Sequence, residues 1–147
     1  MKRLLSLLLI LSILCLTSCG EEQSAYSLLE EFCEAYGASG IIYSPEVAEG
    51  SDGHISEGLI ERVFFFTDGM TDNYAILLNT HIDSPSECGI FVCTDGGEVR
   101  ACEEICVMRL KILGSKNGFV RRRGSVVYYS TLSDADRAEE LFNDIIK

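Results

Sequence analysis

Apolar residues open the chain as a block and then break into periodic segments. Leu4 to Leu16 is apolar apart from Ser6, Ser12 and Cys15, follows Lys2-Arg3 and stops at Thr17-Ser18. Ser24 then suits an N-cap for a helix with Leu28, Leu29, Phe32, Cys33 and Tyr36 on one face, ended by Gly37. Ile41-Ile42-Tyr43 reads as a short strand before Pro45, and Glu46 to His54 as a polar, mobile loop. Ser56 caps a short helix through Arg62, weakened by Gly58, while Val63-Phe64-Phe65-Phe66 fits a turn of helix or a strand equally well.

Beyond the turn cluster Thr67 to Asn73, the runs Tyr74–Leu78 and Cys88–Thr94 have strand length and read as adjacent antiparallel strands. Their connection, Asn79 to Ser86 with Pro85, is too long for turn type to fix the register. Asp95-Gly96-Gly97 turns the chain into a helix from Glu98 to Leu113, with an acidic first turn and Gly114 as its stop. Gly124 to Thr131 is the most strand-like run. Ser133-Asp134-Ala135-Asp136 approximates a capping box before a last helix striped with Ala138, Leu141, Phe142, Ile145 and Ile146. This order predicts a small α+β two-layer sandwich, with helices on one face of a three- to four-stranded, mostly antiparallel sheet whose other face is partly solvated.

The opening block has the layout of a secretory leader, and it is shorter than the ~20 apolar residues that span ~30 Å of hydrocarbon. Leu16-Thr17-Ser18-Cys19 resembles the lipobox of bacterial lipoproteins, in which the cysteine thiol receives a diacylglyceryl group before cleavage. The predicted organisation is therefore a lipoprotein signal peptide over 1–18, lipidated Cys19 and a short tether over 19–24, and one extracytoplasmic domain over 25–147. The expected location is the outer face of a cell membrane, reached through the lipid on Cys19. At ~3.5 Å per extended residue the tether holds the domain within about 15 Å of its anchor.

The 147-residue chain carries a formal net charge of −11, and loss of Lys2 and Arg3 with the leader makes the remainder more acidic. That balance excludes nucleic acid as a partner. Of seven cysteines, Cys15 leaves with the leader and Cys19 is the lipidation site; Cys33, Cys88, Cys93, Cys102 and Cys106 remain. An odd count leaves at least one thiol free or paired between molecules, and two internal bridges are possible but not required.

No metal, cofactor or catalytic set emerges. The spacing of Cys88, Cys93, Cys102 and Cys106 does not match paired zinc ligands, and Cys88 and Cys93 are expected on opposite sides of a strand. There is no Cys-x-x-Cys pair, and Glu98, Glu103 and Glu104 oppose a thiolate at Cys102. His54 and His81 sit in polar loops; Thr71-Asp72-Asn73 lacks the companion motifs of penicillin-recognising enzymes; Asp68 and Asp72 lack the pattern of a calcium loop. Lys111, Lys116, Arg121, Arg122 and Arg123 gather in one segment, which reads either as a solvated turn or as a contact with anionic headgroups or wall polymer.

One residue breaks the helical pattern. With Ile105 at the centre of the Glu98–Leu113 stripe and Ala101, Cys102, Met108, Ile112 and Leu113 around it, Arg109 falls inside the apolar face. It must snorkel outward or meet a carboxylate. Glu87 is the candidate partner, with Glu57 and Glu61 as alternatives, and the pair is either structural or part of an anion site.

Ser86-Glu87-Cys88-Gly89-Ile90-Phe91, Arg109-Leu110, Val126-Val127-Tyr128 and the closing helix resemble a family of Gram-positive lipoproteins defined only as a domain of unknown function, over roughly Ile60 to Ile146. In that family an acidic residue opens the second strand of the central pair and an arginine lies in the following helix, places held here by Glu87 and Arg109. Ser86 stands where a second acidic residue is expected. The resemblance implies an extracytoplasmic lipid-anchored domain and brings no activity. The expected role is a binding or adapter module for another envelope protein or a wall polymer, with thiol exchange or another enzymatic function as the alternative.

Overall fold

A computed structural model describes residues 24–64, 71, 73–79 and 86–146. The leader, Cys19, the tether up to Gln23, Asp68, Asp72 and His81 lie outside them. The described chain is α+β, with helices α1 (Ala25–Tyr36), α2 (Glu57–Phe64), α3 (Gly96–Leu113) and α4 (Ala135–Ile145). The strands are β1 (Ile41–Tyr43), β2 (Asn73–Asn79), β3 (Ser86–Val92), β4 (Phe119–Arg123) and β5 (Val126–Ser130). They form one open sheet in the order β1-β2-β3-β5-β4, every neighbour antiparallel.

The helix ends follow local chemistry. Ser24 accepts the Ser27 amide at 3.2 Å, and Gly37 closes α1 in the left-handed region. Asp95 accepts from the Gly97 and Glu98 amides, while the Glu98 carboxylate reaches back to the Thr94 amide at 2.7 Å, so α3 starts earlier than its apolar pattern. Asp134 caps α4 through the Arg137 amide. The end of α2 takes in Val63 and Phe64, which settles those two residues as helix.

Two expectations about the sheet are corrected. It has five strands rather than three or four, because Phe119 to Arg123, whose arginines masked any apolar period, pairs along the whole of β5 as an edge strand. Helices also cover both faces. Ala75, Leu77, Cys88, Ile90 and Tyr128 pack with α1 and α4, whereas Tyr74, Ile76, Phe91, Val127 and Tyr129 pack with α2 and α3. The physical reason is visible in β2, β3 and β5, which are near-continuous apolar runs; a strand half-exposed to water would alternate. On the first face Phe142 stacks on Phe32 and Tyr128, with ring centroids 4.0 and 4.2 Å apart.

The loop after β1, expected to be mobile, is tied back on itself. His54 Nδ1 lies 2.7 Å from the Val47 carbonyl, the Ser44 amide donates to Gly53 O, and a Cβ on Gly53 would sit 2.4 Å from Ile42 O.

The phase of α3 is a third correction. Val99, Cys102 and Cys106 face the sheet, while Met108, Ile112 and Leu113 are exposed. Arg109 continues the row of Cys102 and Cys106 by helical spacing and so points to the sheet, and of the stripe centred on Ile105 it is Cys102 and Ile105 itself that pack against that core.

Candidate functional site

Glu87 is the second residue of β3, and its side chain shares a face with Gly89 and Phe91, under α3. Arg109 descends onto it from the last third of α3. Arg109 Nε donates to Glu87 Oε1 at 2.9 Å and Nη2 donates to Oε2 at 2.7 Å, the bidentate fork. The two side chains are 17% and 7% exposed, so the pair is shielded from water.

Tyr129 completes the group, and the sequence pattern did not single it out. Its hydroxyl donates to Glu87 Oε1 at 2.5 Å from a fully buried position on β5. Tyr129 is the register partner of Gly89, and a Cβ on Gly89 would lie 2.6 Å from Tyr129 Cε1. The ring therefore lies over the glycine, which lets its hydroxyl reach along β3 to Glu87. A lone glycine inside an apolar strand is the signal of such a close approach, although it does not identify what approaches. Phe64 of α2 stacks over the guanidinium, with Arg109 Cζ 5.1 Å from the ring centroid. Thr131 clamps the Glu87 backbone, its Oγ1 accepting from the Glu87 amide at 2.8 Å and donating to the Glu87 carbonyl at 3.0 Å. Of the alternative partners, Glu61 is exposed and the side chain of Glu57 lies outside the described residues.

Electrostatics follow from enclosure. The Glu87 carboxylate holds Arg109 above its ordinary pKa against the opposing effect of burial. Burial pushes the Tyr129 phenol well above its ordinary value, and the adjacent carboxylate adds to it. Both carboxylate oxygens accept from fixed donors and the phenolic proton is locked, so the group acts as a clamp between α3 and the sheet. No buried side-chain nitrogen or oxygen among the described residues lacks a hydrogen-bond partner. A small cavity of ≈170 Å³, lined by Ser86, Glu87, Leu113, Ser115 and Thr131, opens beside the clamp.

The basic segment is not a free cluster. Arg121 forks onto Glu139 of α4 at 2.6 and 2.9 Å, Arg122 lies 3.7 Å from Glu103 of α3, and Arg123 donates to the Asn143 carbonyl. Lys111 and Lys116 are exposed. Lys116 precedes the start of β4, at the opposite end of the strand from Arg123, so the sheet separates what the sequence gathers. With side chains 48% and 33% exposed, the Arg121–Glu139 fork contributes about 1 kcal/mol or less despite geometry as good as that of Glu87–Arg109.

All five described cysteines are buried free thiols, and no group of three or more His, Cys, Asp or Glu among the described residues is arranged to hold a metal ion. Cys88 and Cys93 face opposite sides of the sheet. The Cys102 pKa is raised, first by its hydrogen bond with Cys93, then by burial, with Glu98 among the smaller contributors.

Removing one partner from a buried pair costs ~3 to 5 kcal/mol. Urea melts of Arg109→Met and Glu87→Gln are expected to show losses in that range, with the double mutant losing less than the sum by at least about 1 kcal/mol. Single losses under about 1 kcal/mol that simply add would show that the pair behaves as an exposed one. The raised phenol makes a second prediction. Tyr129 stays protonated in the folded state above the ordinary value of about 10, so its contribution is complete below that pH and is lost as pH rises toward the folded value. Tyr129→Phe is expected to be less stable than wild type at pH 8 by about 1 to 3 kcal/mol, with the gap closing above pH ~10. A gap that stays constant to pH ~11 would contradict burial of the phenol beside the carboxylate.

Comparison with protein-family models, with curated proteins and with solved structures finds no match for this chain.

Proposed function

We propose that the chain is a lipid-anchored protein of the extracytoplasmic face of a bacterial membrane, whose single domain binds or recruits another envelope component. The observation that carries this is the order of positive pair, short apolar run and Leu16-Thr17-Ser18-Cys19 ahead of a short tether and a domain. No helix among the described residues is long and apolar enough to cross a membrane. Two lipid chains hold a protein on a bilayer where one does so only marginally.

The way the domain begins supports an orientation. The Ala25 amide donates to Asn73 Oδ1 at 2.7 Å, and Asn73 lies opposite Val92, which lies opposite Val126. The start of α1 and the β4–β5 turn therefore share one end of the sheet. A tether of about 15 Å keeps that end beside the headgroups. The other end, roughly 20 Å away along the strands, carries the cavity of Ser86, Glu87, Leu113, Ser115 and Thr131. It is the end that faces a partner. A thiol-exchange role has no comparable support, since it needs an accessible nucleophilic sulfur and all five described thiols are buried.

Fractionation of cells carrying wild type or Cys19→Ala is the test. Wild type is expected in the membrane fraction with its leader removed and a fatty acid label on Cys19, and Cys19→Ala in the soluble fraction. Unchanged membrane association of Cys19→Ala would overturn the anchoring.

A further inference from the structure

α3 has two apolar faces. The inner one, Val99, Cys102 and Cys106, lies on the sheet. The outer one is the row Ala101, Ile105, Met108 and Ile112, spaced four, three and four residues apart. Ile105 packs on the core at its base, but Met108 is 44% and Ile112 57% exposed. Of the six exposed large apolar residues among those described, five stand on α2 and α3, so it is this helical layer, and not that of α1 and α4, that offers apolar surface. A row alternating by three and four is the seam along which one helix packs on another.

We propose that a second copy of this chain covers the seam, the two α3 helices packing in parallel about a twofold axis. Charge favours that occupant. The chain has a formal net charge of −11, so copies repel over most of their surface, yet both signs stand beside the seam: Arg100, Glu104 and Lys111 on α3, Glu61 and Arg62 on α2. An anionic bilayer fits less well, because Glu61 and Glu104 would be carried into it.

The direction of the pairing rests on the anchoring proposed above. α3 leaves the sheet after Val92, at the end shared with the start of α1, and finishes at Leu113 beside the cavity, so it runs from the anchored end to the free one. Two copies held in one leaflet are related by an axis along the membrane normal, and helices that run along that axis pair in parallel. Ala101, Ile105, Met108 and Ile112 then each meet their own counterpart. Arg109 and Phe64 place α2 on one flank of α3, and the Glu103–Arg122 contact places β4 on the other. The twofold therefore lays the row Arg100, Glu104 and Lys111 of one copy toward α2 of its partner, where Glu61 and Arg62 supply opposite signs.

An 18-residue helix gives a seam only ~27 Å long, which belongs with small interfaces of less than about 1,200 Å². Such a contact is weak between free molecules, and confinement to one membrane surface raises the effective concentration that it needs. The cavity end stays open, so pairing and recruitment use different surfaces.

Full-length chains carrying Met108→Cys, Ile112→Cys or, on the opposite layer, Glu34→Cys are treated in intact cells with a short bis-maleimide, then fractionated and run on a denaturing gel. A covalent band at twice the mass of the chain is expected from Met108→Cys and Ile112→Cys, and none from Glu34→Cys or from wild type, whose described thiols are buried. Adding Ile112→Glu to Met108→Cys is expected to lower the dimer about tenfold or more, because it sets an unmatched charge in the seam. Its melting temperature is expected to stay that of the parent, since Ile112 is more than half exposed in the single copy. No band from either seam variant, an equally strong band from Glu34→Cys, or a band joining the chain to a different protein would overturn the second copy. Dimer from Met108→Cys without dimer from Ile112→Cys would overturn the parallel twofold, because antiparallel helices set Ile112 against Ala101. The fractions separate this inference from the anchoring: membrane-bound chain without dimer removes the seam alone, and dimer found only in the soluble fraction removes the anchoring alone.

Discussion

A carboxylate enclosed between a helix and a sheet must be matched group by group, because an unmatched charge there costs several kcal/mol. Glu87 meets that demand with two nitrogens of Arg109 and the hydroxyl of Tyr129. The two donor residues come from different elements, α3 and β5, so the requirement fixes three relationships together. α3 must present Arg109 at one height over β3. β5 must pair with β3 so that Tyr129 lies across from Gly89, and Gly89 must lack a side chain so that the ring can lie over it. A shift of one residue in the β3–β5 register would move Tyr129 to the opposite face.

The rest of the molecule is arranged around that central strand. β3 has neighbours on both sides and helices above and below, which is why it is apolar throughout apart from the one satisfied carboxylate and its terminal Ser86. Towards its edges the sheet becomes short or charged. β1 has three residues, and β4 ends in three exposed arginines, features that discourage pairing with another chain. Two of those arginines fold back onto glutamates of α4 and α3. The arginine run is therefore a protected edge whose charge is locally balanced, and the excess acidity of the chain remains at its surface.

Where residues alternate or cap in the standard way, the sequence was informative. Ser24, Gly37 and Gly114 bound helices as their chemistry predicts, while α3 begins two residues before Glu98 behind Asp95 and α4 is capped by Asp134 rather than by Ser133 of the expected capping box. Glu87 and Arg109 were legible as partners because a charge in an apolar pattern demands an answer. What escaped was everything decided by tertiary covering. The arginines of β4 hid a strand, since an edge strand needs only one buried face and Arg121, Arg122 and Arg123 keep their heads in water. The number of helical layers follows from apolar residues standing at successive positions in β2, β3 and β5, a signal that outweighs the count of helices. The phase of α3 was misjudged because Cys102 and Cys106, small apolar residues when buried, mark its inner face more faithfully than the larger Met108 and Ile112 do. Tyr129 looked like one more apolar strand residue until its register partner was known.

If the Glu87 clamp unites α3 with the central sheet, the two should open together. Native-state hydrogen exchange in rising urea measures this directly, because each amide reports the free energy of the opening that exposes it. The account predicts that amides of β3, of β5 and of α3 around Cys106 and Arg109 share the highest opening energy and merge with global unfolding, while β1 and the 46–54 loop exchange through smaller openings. Exchange of the α3 amides through an opening several kcal/mol below that of β3 would contradict it, since the helix would then leave the sheet without breaking the fold.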